Sequence, residues 1–399
     1  MTDASEQTAS TPVPWYSDGP MHYGVGIEDT FIPQEALGHR KLDEYELTQH
    51  YQRWEADLEL VAESGAEFLR WGVPWYLVEP RPGEFDWAWL DQVVDKMRTL
   101  GLRCIVDLMH YGTPLWLDNA FLNAAYPERV AAYARAVAER YSDVWTDWTP
   151  LNEPAVNAEW TGQNGLWPPY LRGQDGYVRI MMQLARGMVR TQQEIQRVQP
   201  HATFVHVDAG FLYEGETTPV PRKTLELRRT LALDLITGRV DDSHPIRPYL
   251  TENGVTDADL AWFRENAVAP DVIGVNYYPH FTNGRIEDGV FTPVRSDSWG
   301  LRELVELYSA RYGLPMIITE TSLVGTPQEK IDWLHASATE LEALRREGHP
   351  IGGFTWFPFF TLVDWLYRFD QKKPDDWFLA FGLVDLVRGA DQGLERVPN

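Results

Sequence analysis

Two glutamates in the 399-residue chain close short apolar runs: Glu153 in DWTPLNEP and Glu320 in PMIITET. Asn152 precedes the first, and Arg70, Asn276 and Tyr278 close other runs of the same kind. Two carboxyls in one site can divide labour. The ionised one attacks an electrophilic carbon, and the protonated one passes its proton to the departing oxygen. Cleavage of a glycosidic bond with retention of configuration asks for such a pair about 5 to 5.5 Å apart. Arg70 and a tyrosine hydroxyl beside Glu320 would hold it ionised, leaving Glu153 to shed its charge by taking up the proton. A single glutamate at a strand end reads more simply as a loop charge. The coincidence of both with Asn152, Arg70 and Tyr278 favours chemistry.

Such a pair needs a scaffold that points it at one place. Eight apolar runs of strand length recur along the chain, at 22–29, 67–75, 103–111, 147–154, 203–210, 271–279, 315–321 and 351–358. Amphipathic stretches separate many of them, at 51–64, 89–100, 128–141, 177–198, 301–311 and 328–346. Gly65, Gly101, Gly313 and Gly348 each follow a helical pattern, where a left-handed residue ends a helix most easily. A βα unit repeated eight times predicts an α/β fold, a single-domain (β/α)8 TIM barrel. An open doubly wound sheet fits less well, since no GxGxxG follows any of the runs. Domain limits are expected at 1–15 for a flexible tail and 16–399 for the barrel, with an extra helix and a lid in the irregular segment 211–269.

In a barrel of this type the site lies at the C-terminal strand ends. The polar residues there are Glu28, Arg70, Asp107, His110, Asn152, Glu153, His206, Asp208, Asn276, Tyr278 and Glu320, with Trp356 closing the last run. Runs four and seven lie nearly opposite each other in an eight-stranded ring, so Glu153 and Glu320 face one another across its axis.

Composition narrows the classes. With 35 basic against 59 acidic side chains the net charge is −24, which excludes a nucleic-acid binder and disfavours an anionic membrane surface. One cysteine, Cys104, permits no internal disulfide and reads as a small buried hydrophobe. The polar, acidic start has no apolar leader segment and no run is long enough to span a bilayer, so a cytoplasmic location is expected. No metal site and no cofactor are expected: no His-x-His follows the first run, and none of the six lysines ends a strand to form a Schiff base.

The residues carry a family resemblance over nearly the whole chain, to the clan A glycosidases and most closely to glycoside hydrolase family 1, the β-glucosidase and β-galactosidase family. Thr149-Pro150-Leu151-Asn152-Glu153-Pro154 resembles its T-x-N-E-P motif, and Ile317-Ile318-Thr319-Glu320 its I-T-E-N-G motif. Asn276-Tyr277-Tyr278 resembles N-Y-Y, and the segment from His110 to Leu117 resembles H-W-D-L-P-x-x-L. Phe354-Thr355-Trp356 is similar to the last-strand tryptophan, Asp364-Trp365 to an E-W pair, and Phe381-Gly382-Leu383-Val384 to a terminal F-G-L-V.

The resemblance implies Glu153 as acid/base and Glu320 as nucleophile. It implies support from Arg70, Asn152 and Tyr278, and sugar contacts from Glu28, His110, Tyr111, Trp356, Asp364 and Trp365. It also implies a retaining exo-β-glycosidase acting on a β-linked glycoside or short oligosaccharide without a cofactor. A transglycosidase, or a non-catalytic carbohydrate-binding barrel, is the alternative, and a homo-oligomer is compatible with either. Departures bear on the sugar: Gly26-Ile27-Glu28-Asp29 replaces Q-x-E-G, Tyr111 replaces the tryptophan after the histidine, and D-W stands one residue farther from Trp356 than expected.

Several residues have plainer readings. Thr251-Glu252-Asn253-Gly254 spells T-E-N-G, yet it precedes Asn276-Tyr277-Tyr278 and lacks an apolar strand, so it reads as a turn before a helix starting at Asp257. His206 and Asp208, two apart on one strand, would share a face and suit a metal pair or a sugar contact. Asp107 and His110, three apart, would face opposite sides. Trp116, Trp160, Trp167, Trp356 and Trp365 are candidates for a sugar platform, and Trp54, Trp145 and Trp333 for packing between helices and barrel.

Overall fold

A computed structural model of the chain describes residues 14–17 and 19–399. Eight parallel strands form its centre: β1 His22–Gly26, β2 Phe68–Gly72, β3 Arg103–Asp107, β4 Asp147–Thr149, β5 Thr203–Ala209, β6 Val272–Asn276, β7 Met316–Thr321 and β8 Ile351–Trp356. They follow one another around a closed barrel, and β8 pairs with β1 to seal it. All eight apolar runs become barrel strands. Seven strands take the N-terminal or middle part of their runs and β7 reaches the end of its own, and the polar residues at the end of several runs spill into the loops above.

The major helices are α1 His50–Glu63, α2 Ala88–Leu100, α3 Tyr126–Arg140, α4 Gly173–Val198, α5 Asp257–Glu265, α6 Trp299–Tyr312 and α7 Pro327–Arg346. Their ends follow local chemistry. Thr256 with Asp259 and Thr326 with Glu329 build capping boxes at the starts of α5 and α7. Gly101 and Gly313 end α2 and α6 at φ of 68° and 66°.

Strand alternation sorts side chains into two cores. Phe68, Ile105, Val205, Val207, Val272 and Ile317 fill the barrel with Tyr16, while Leu69, Trp71, Cys104, Val106, Ile273, Val275 and Ile318 join the layer beneath the helices. The tail expected over 1–15 lies outside the described residues up to 13. Trp15 opens a turn of 3-10 helix, donates its indole N–H to Asp147 at 2.9 Å and lies over Phe68 with ring centres 5.2 Å apart.

Two regions differ from expectation. The segment 211–269 carries four helices rather than one: Arg222–Arg229, Leu231–Ile236, Arg247–Glu252 and α5. Its strand Leu212–Tyr213 pairs with Asn283–Glu287, which pairs in turn with Val290–Pro293, in a small sheet above β5 and β6. The eighth βα unit lacks its helix. After β8 the described chain forms two short 3-10 segments, a short antiparallel pair of Leu362–Val363 with Phe378–Leu379, and a hairpin of Val384–Arg388 with Leu394–Pro398. That hairpin docks on α1: Arg396 binds Asp57 at 2.7 and 2.8 Å, and the Leu394 N–H donates to Gln49 at 2.7 Å. Among the described residues no helix is long and apolar enough to cross a membrane.

Candidate active site

Alternation on β2 sends Phe68, Arg70 and Gly72 inward, so Arg70 stands one layer above the apolar plug. On β7 the same alternation turns Ile317 and Thr319 inward and would turn Glu320 out towards the helices. A β-bulge prevents this: pairing with both neighbours slips between Ile318 and the residues after it. The extra residue leaves Thr319 and Glu320 both facing the axis, while Thr321 goes outward to accept the Trp333 indole N–H at 3.1 Å.

Glu153 is placed by a different device. β4 stops at Thr149, Asn152 bridges to Val207 of β5, and the Glu153 N–H donates to the Val207 carbonyl at 3.1 Å. The Glu153 backbone is left-handed, φ 43°, where it caps the short helix Pro154–Ala158. Such conformations cost a non-glycine residue about 1 to 3 kcal/mol, and they cluster where side-chain placement matters more than local comfort.

The two carboxyls are linked through one buried network. Arg70, fully buried, donates to Glu320 Oε1, to Asn152 Oδ1 at 2.7 Å, and lies 2.6 Å from Asp107 Oδ2. Tyr278 donates to the other Glu320 oxygen at 2.6 Å. On the opposite side Asn276 donates to Glu153 Oε1 at 2.9 Å and the Tyr111 hydroxyl donates to Oε2. Asn152 joins the halves, since its Oδ1 also accepts from Asn276 at 3.2 Å and its Nδ2 donates to the Tyr111 oxygen at 2.9 Å.

Burial raises the pKa of both glutamates. Glu320 reaches about 8, with Arg70 pulling it down and the charge of Glu153 pushing it up, and Glu153 is raised against the pull of Tyr111 and Asn276. Two carboxyls in one dry pocket titrate as a pair and hold a shared proton to neutral pH. The contacts decide where it sits. A guanidinium touches Glu320, whereas among the described residues only neutral donors touch Glu153, so the proton belongs on Glu153.

His110 Nδ1 lies 2.8 Å from Asp29 and 3.2 Å from Asp107, so Asp107 and His110 meet rather than face opposite sides. The reason is that β3 ends at Asp107 and the chain turns back before His110. These three are the buried ligand-type cluster among the described residues, and Arg70 already neutralises it from the Asp107 side.

The expected sugar contacts divide. His110 and Tyr111 stand inside the network. Trp365 reaches it through Tyr111, ring centres 5.3 Å apart, and packs with Trp160 and Trp167 at 5.3 and 5.2 Å. Glu28 is buried, with one oxygen accepting the Thr30 hydroxyl at 2.6 Å. Asp364 uses one oxygen to cap the Leu366 N–H at 2.8 Å. Trp356 is not part of the network: it packs in the outer apolar layer and gives its indole N–H to Phe381 at 3.2 Å. The next residue, Phe357, takes the place instead, parallel to His110 with ring centres 6.3 Å apart and 5.4 Å from the Arg70 guanidinium. Counted from Phe357, the extra residue before Asp364-Trp365 disappears. Trp116 lies elsewhere, bound to the Glu79 carbonyl at 2.7 Å.

Sequence reading did not pick out Asp29 or Phe357 for the site, although the spacing to Asp364 held the signal for Phe357. Nor did it find Glu44, fully buried with one oxygen accepting the Val363 N–H at 3.1 Å and the other without a partner. Burial and the charge of Glu28 hold Glu44 well above the ordinary carboxyl range.

His206 and Asp208 point away from the axis. The Tyr308 hydroxyl of α6 donates to Asp208 at 3.1 Å, so neither a sugar contact nor a role in the site fits them. Glu252, Asn253 and Gly254 form the end of a helix and a turn, and line a groove of about 900 Å³ between α3, α4 and α5 that shares no residue with the carboxyl network. Trp145 lies in the turn before β4 rather than in a helix.

A closed (β/α)8 ring carrying two buried carboxyls and an arginine at its C-terminal strand ends is the framework of a glycosidase. The model of the family described as "Glycosyl hydrolase family 1" matches residues 14–209. A bifunctional β-D-glucosidase/β-D-fucosidase of Bifidobacterium breve is 22% identical over 377 residues, covering 81% of each chain. β-Glucosidase A of Thermotoga maritima is 25% identical over 251 residues, 57% of this chain and 54% of that one. A solved family 1 β-glucosidase from Thermotoga maritima superposes with a TM-score of 0.79 at 19% identity, covering 95% of both chains. The family matched over residues 14–209 is glycosyl hydrolase family 1, and the chain is a glycoside hydrolase.

Proposed function

We propose that the chain is a retaining exo-β-glycosidase that removes the terminal sugar of a β-linked glycoside or short oligosaccharide. Glu320 attacks the anomeric carbon as the carboxylate. Glu153 gives its proton to the departing oxygen, then takes one from the water that releases the sugar. The observation that carries this reading is the asymmetry of contacts. Arg70 and Tyr278 both donate to Glu320 and favour its charge, while Glu153 has no cation in contact among the described residues and is the natural holder of the shared proton. His110, Glu28 and Phe357 then border the sugar, and Trp365 with Trp160 borders what lies beyond it.

Replacement separates the roles. Glu320→Ala loses hydrolysis of a nitrophenyl β-glycoside and regains turnover with azide, giving a product of inverted configuration, because the ion attacks from the cavity the carboxylate vacates. Glu153→Ala slows glycosides with poor leaving groups most and yields no inverted azide adduct. Unchanged hydrolysis in either variant refutes the assignment.

A further inference from the structure

Tyr111 is built into the site at a cost. Its backbone is left-handed at φ 82°, a genuine outlier for a bulky aromatic residue. The Asn157 side chain holds its carbonyl at 3.2 Å, and its ring is 1% exposed between Trp167 and Trp365, with ring centres 5.1 and 5.3 Å away. The hydroxyl has two described partners: Asn152 donates to its oxygen at 2.9 Å, and its own hydrogen goes to Glu153 Oε2. Asn152 cannot turn to serve otherwise, because Arg70 and Asn276 hold its carbonyl oxygen. With one lone pair filled by an N–H, the Tyr111 hydroxyl hydrogen has one described destination.

We infer that Tyr111 is a positioning residue for proton transfer at Glu153, whose hydroxyl holds the carboxylate that remains after the proton has left. The inference rests on Glu153 being the acid/base. In the first step the Glu153 O–H bond breaks and an O–H bond forms on the leaving oxygen. Tyr111 keeps its own proton throughout, as burial and the Glu153 charge hold it well above the ordinary phenol value. A donor that tightens on the carboxylate makes the carboxyl a stronger acid at no cost in reorganisation.

Other groups act on the same carboxyl: Asn276 and Tyr278 at and after the end of β6, Arg70 of β2, Glu320 of β7 and His110 beside Tyr111, while Glu28 after β1 acts on Tyr111 and Tyr278. Burial works to lower His110, but Asp29 and Asp107 hold it well above its ordinary value. None of these contacts the Tyr111 hydroxyl; Asn152 does and loses an acceptor with it, a loss that persists in a Glu153→Gln background and is separated there.

The test compares an alkyl β-glycoside, which needs the acid, with a dinitrophenyl β-glycoside, which does not. For Tyr111→Phe, kcat/KM on the alkyl substrate falls about tenfold or more, while the dinitrophenyl substrate falls less than about threefold, and the alkaline limb of the pH profile moves up by about one unit. In a Glu153→Gln background the same change adds no loss. Replacing Tyr111 with 3-fluorotyrosine keeps the shape and strengthens the donor, so the limb moves down; this variant decides the matter if the phenylalanine protein does not fold. Equal losses on both substrates, an unmoved limb or an additive loss with Glu153→Gln overturn the inference. If Glu153→Gln treats both leaving groups alike, the acid assignment falls, and this inference with it.

Discussion

Removing the Arg70 guanidinium tests how the barrel keeps one of its two carboxyls charged. In Arg70→Met, Glu320 loses the one cation that touches it among the described residues, and Asp107 and Asn152 lose their partner at 2.6 and 2.7 Å. A hydrogen bond to a charged group contributes about 1.5 to 3 kcal/mol. At about 1.4 kcal/mol per pH unit, that is one to two units on the proton of Glu320 and about 10- to 100-fold in rate where the attacking group must be ionised. The sign follows from the contact: Arg70 favours the charged form, so without it Glu320 keeps its proton to higher pH. The ascending limb of kcat/KM therefore moves up, and the loss is larger at pH 6 than at pH 8. Arg70→Lys keeps a charge but not the fork, and falls between. The assay is kcat/KM for a nitrophenyl β-glycoside from about pH 5 to about pH 9, with a thermal melt to establish that the variants are folded. An ascending limb that stays in place in both variants, or a loss equal at every pH, refutes the argument.

Two further predictions test parts of the molecule away from the carboxyls. Arg396→Met leaves the fully buried Asp57 with His50 alone, 2.8 Å away, and should lower stability by about 3 kcal/mol in a denaturant titration while activity at low temperature persists. Burial tends to raise Asp57, but His50 and Arg396 hold it below the ordinary carboxyl value, so this stabilisation is present above about pH 4 and is lost as the pH falls through the folded value. The gap between wild type and variant should narrow on acidification. Glu252→Gln, in the turn that spells T-E-N-G, should leave kcat/KM within about twofold; a large loss would reopen the choice of nucleophile.

The barrel was legible because its signal is repeated: eight apolar runs with amphipathic stretches among them leave few other folds open. Arg70, Asn152, Glu153, Tyr278 and Glu320 were legible because strand ends are where this architecture puts polar groups. Orientation was harder to read. Strict alternation predicts the wrong face for Glu320, and only the bulge in β7 corrects it. The likeness of a tryptophan drew attention to Trp356 when the site-facing ring belongs to Phe357 one residue on. Asp107 and His110 meet because β3 ends sooner than its apolar run, and no local pattern announces that. The missing eighth helix left no gap in the reading because the turns that replace it are also rich in aromatic and apolar residues.

The clasp between the C-terminal hairpin and α1 also sets an order of events. Asp57 and Arg396 stand 339 positions apart, so the first helix of the ring is complete long before its partner has been synthesised. Until the hairpin arrives, one face of α1 must wait in water with a carboxylate that later becomes buried. Closing so long a loop costs little more than closing one half its length, because the entropy grows only logarithmically. Time is the heavier cost, since contacts this distant slow the search for the native state. Completion of the fold around α1 therefore waits on the hairpin, and a chain cut before Leu394 would hold every residue of the carboxyl network and still lack the latch.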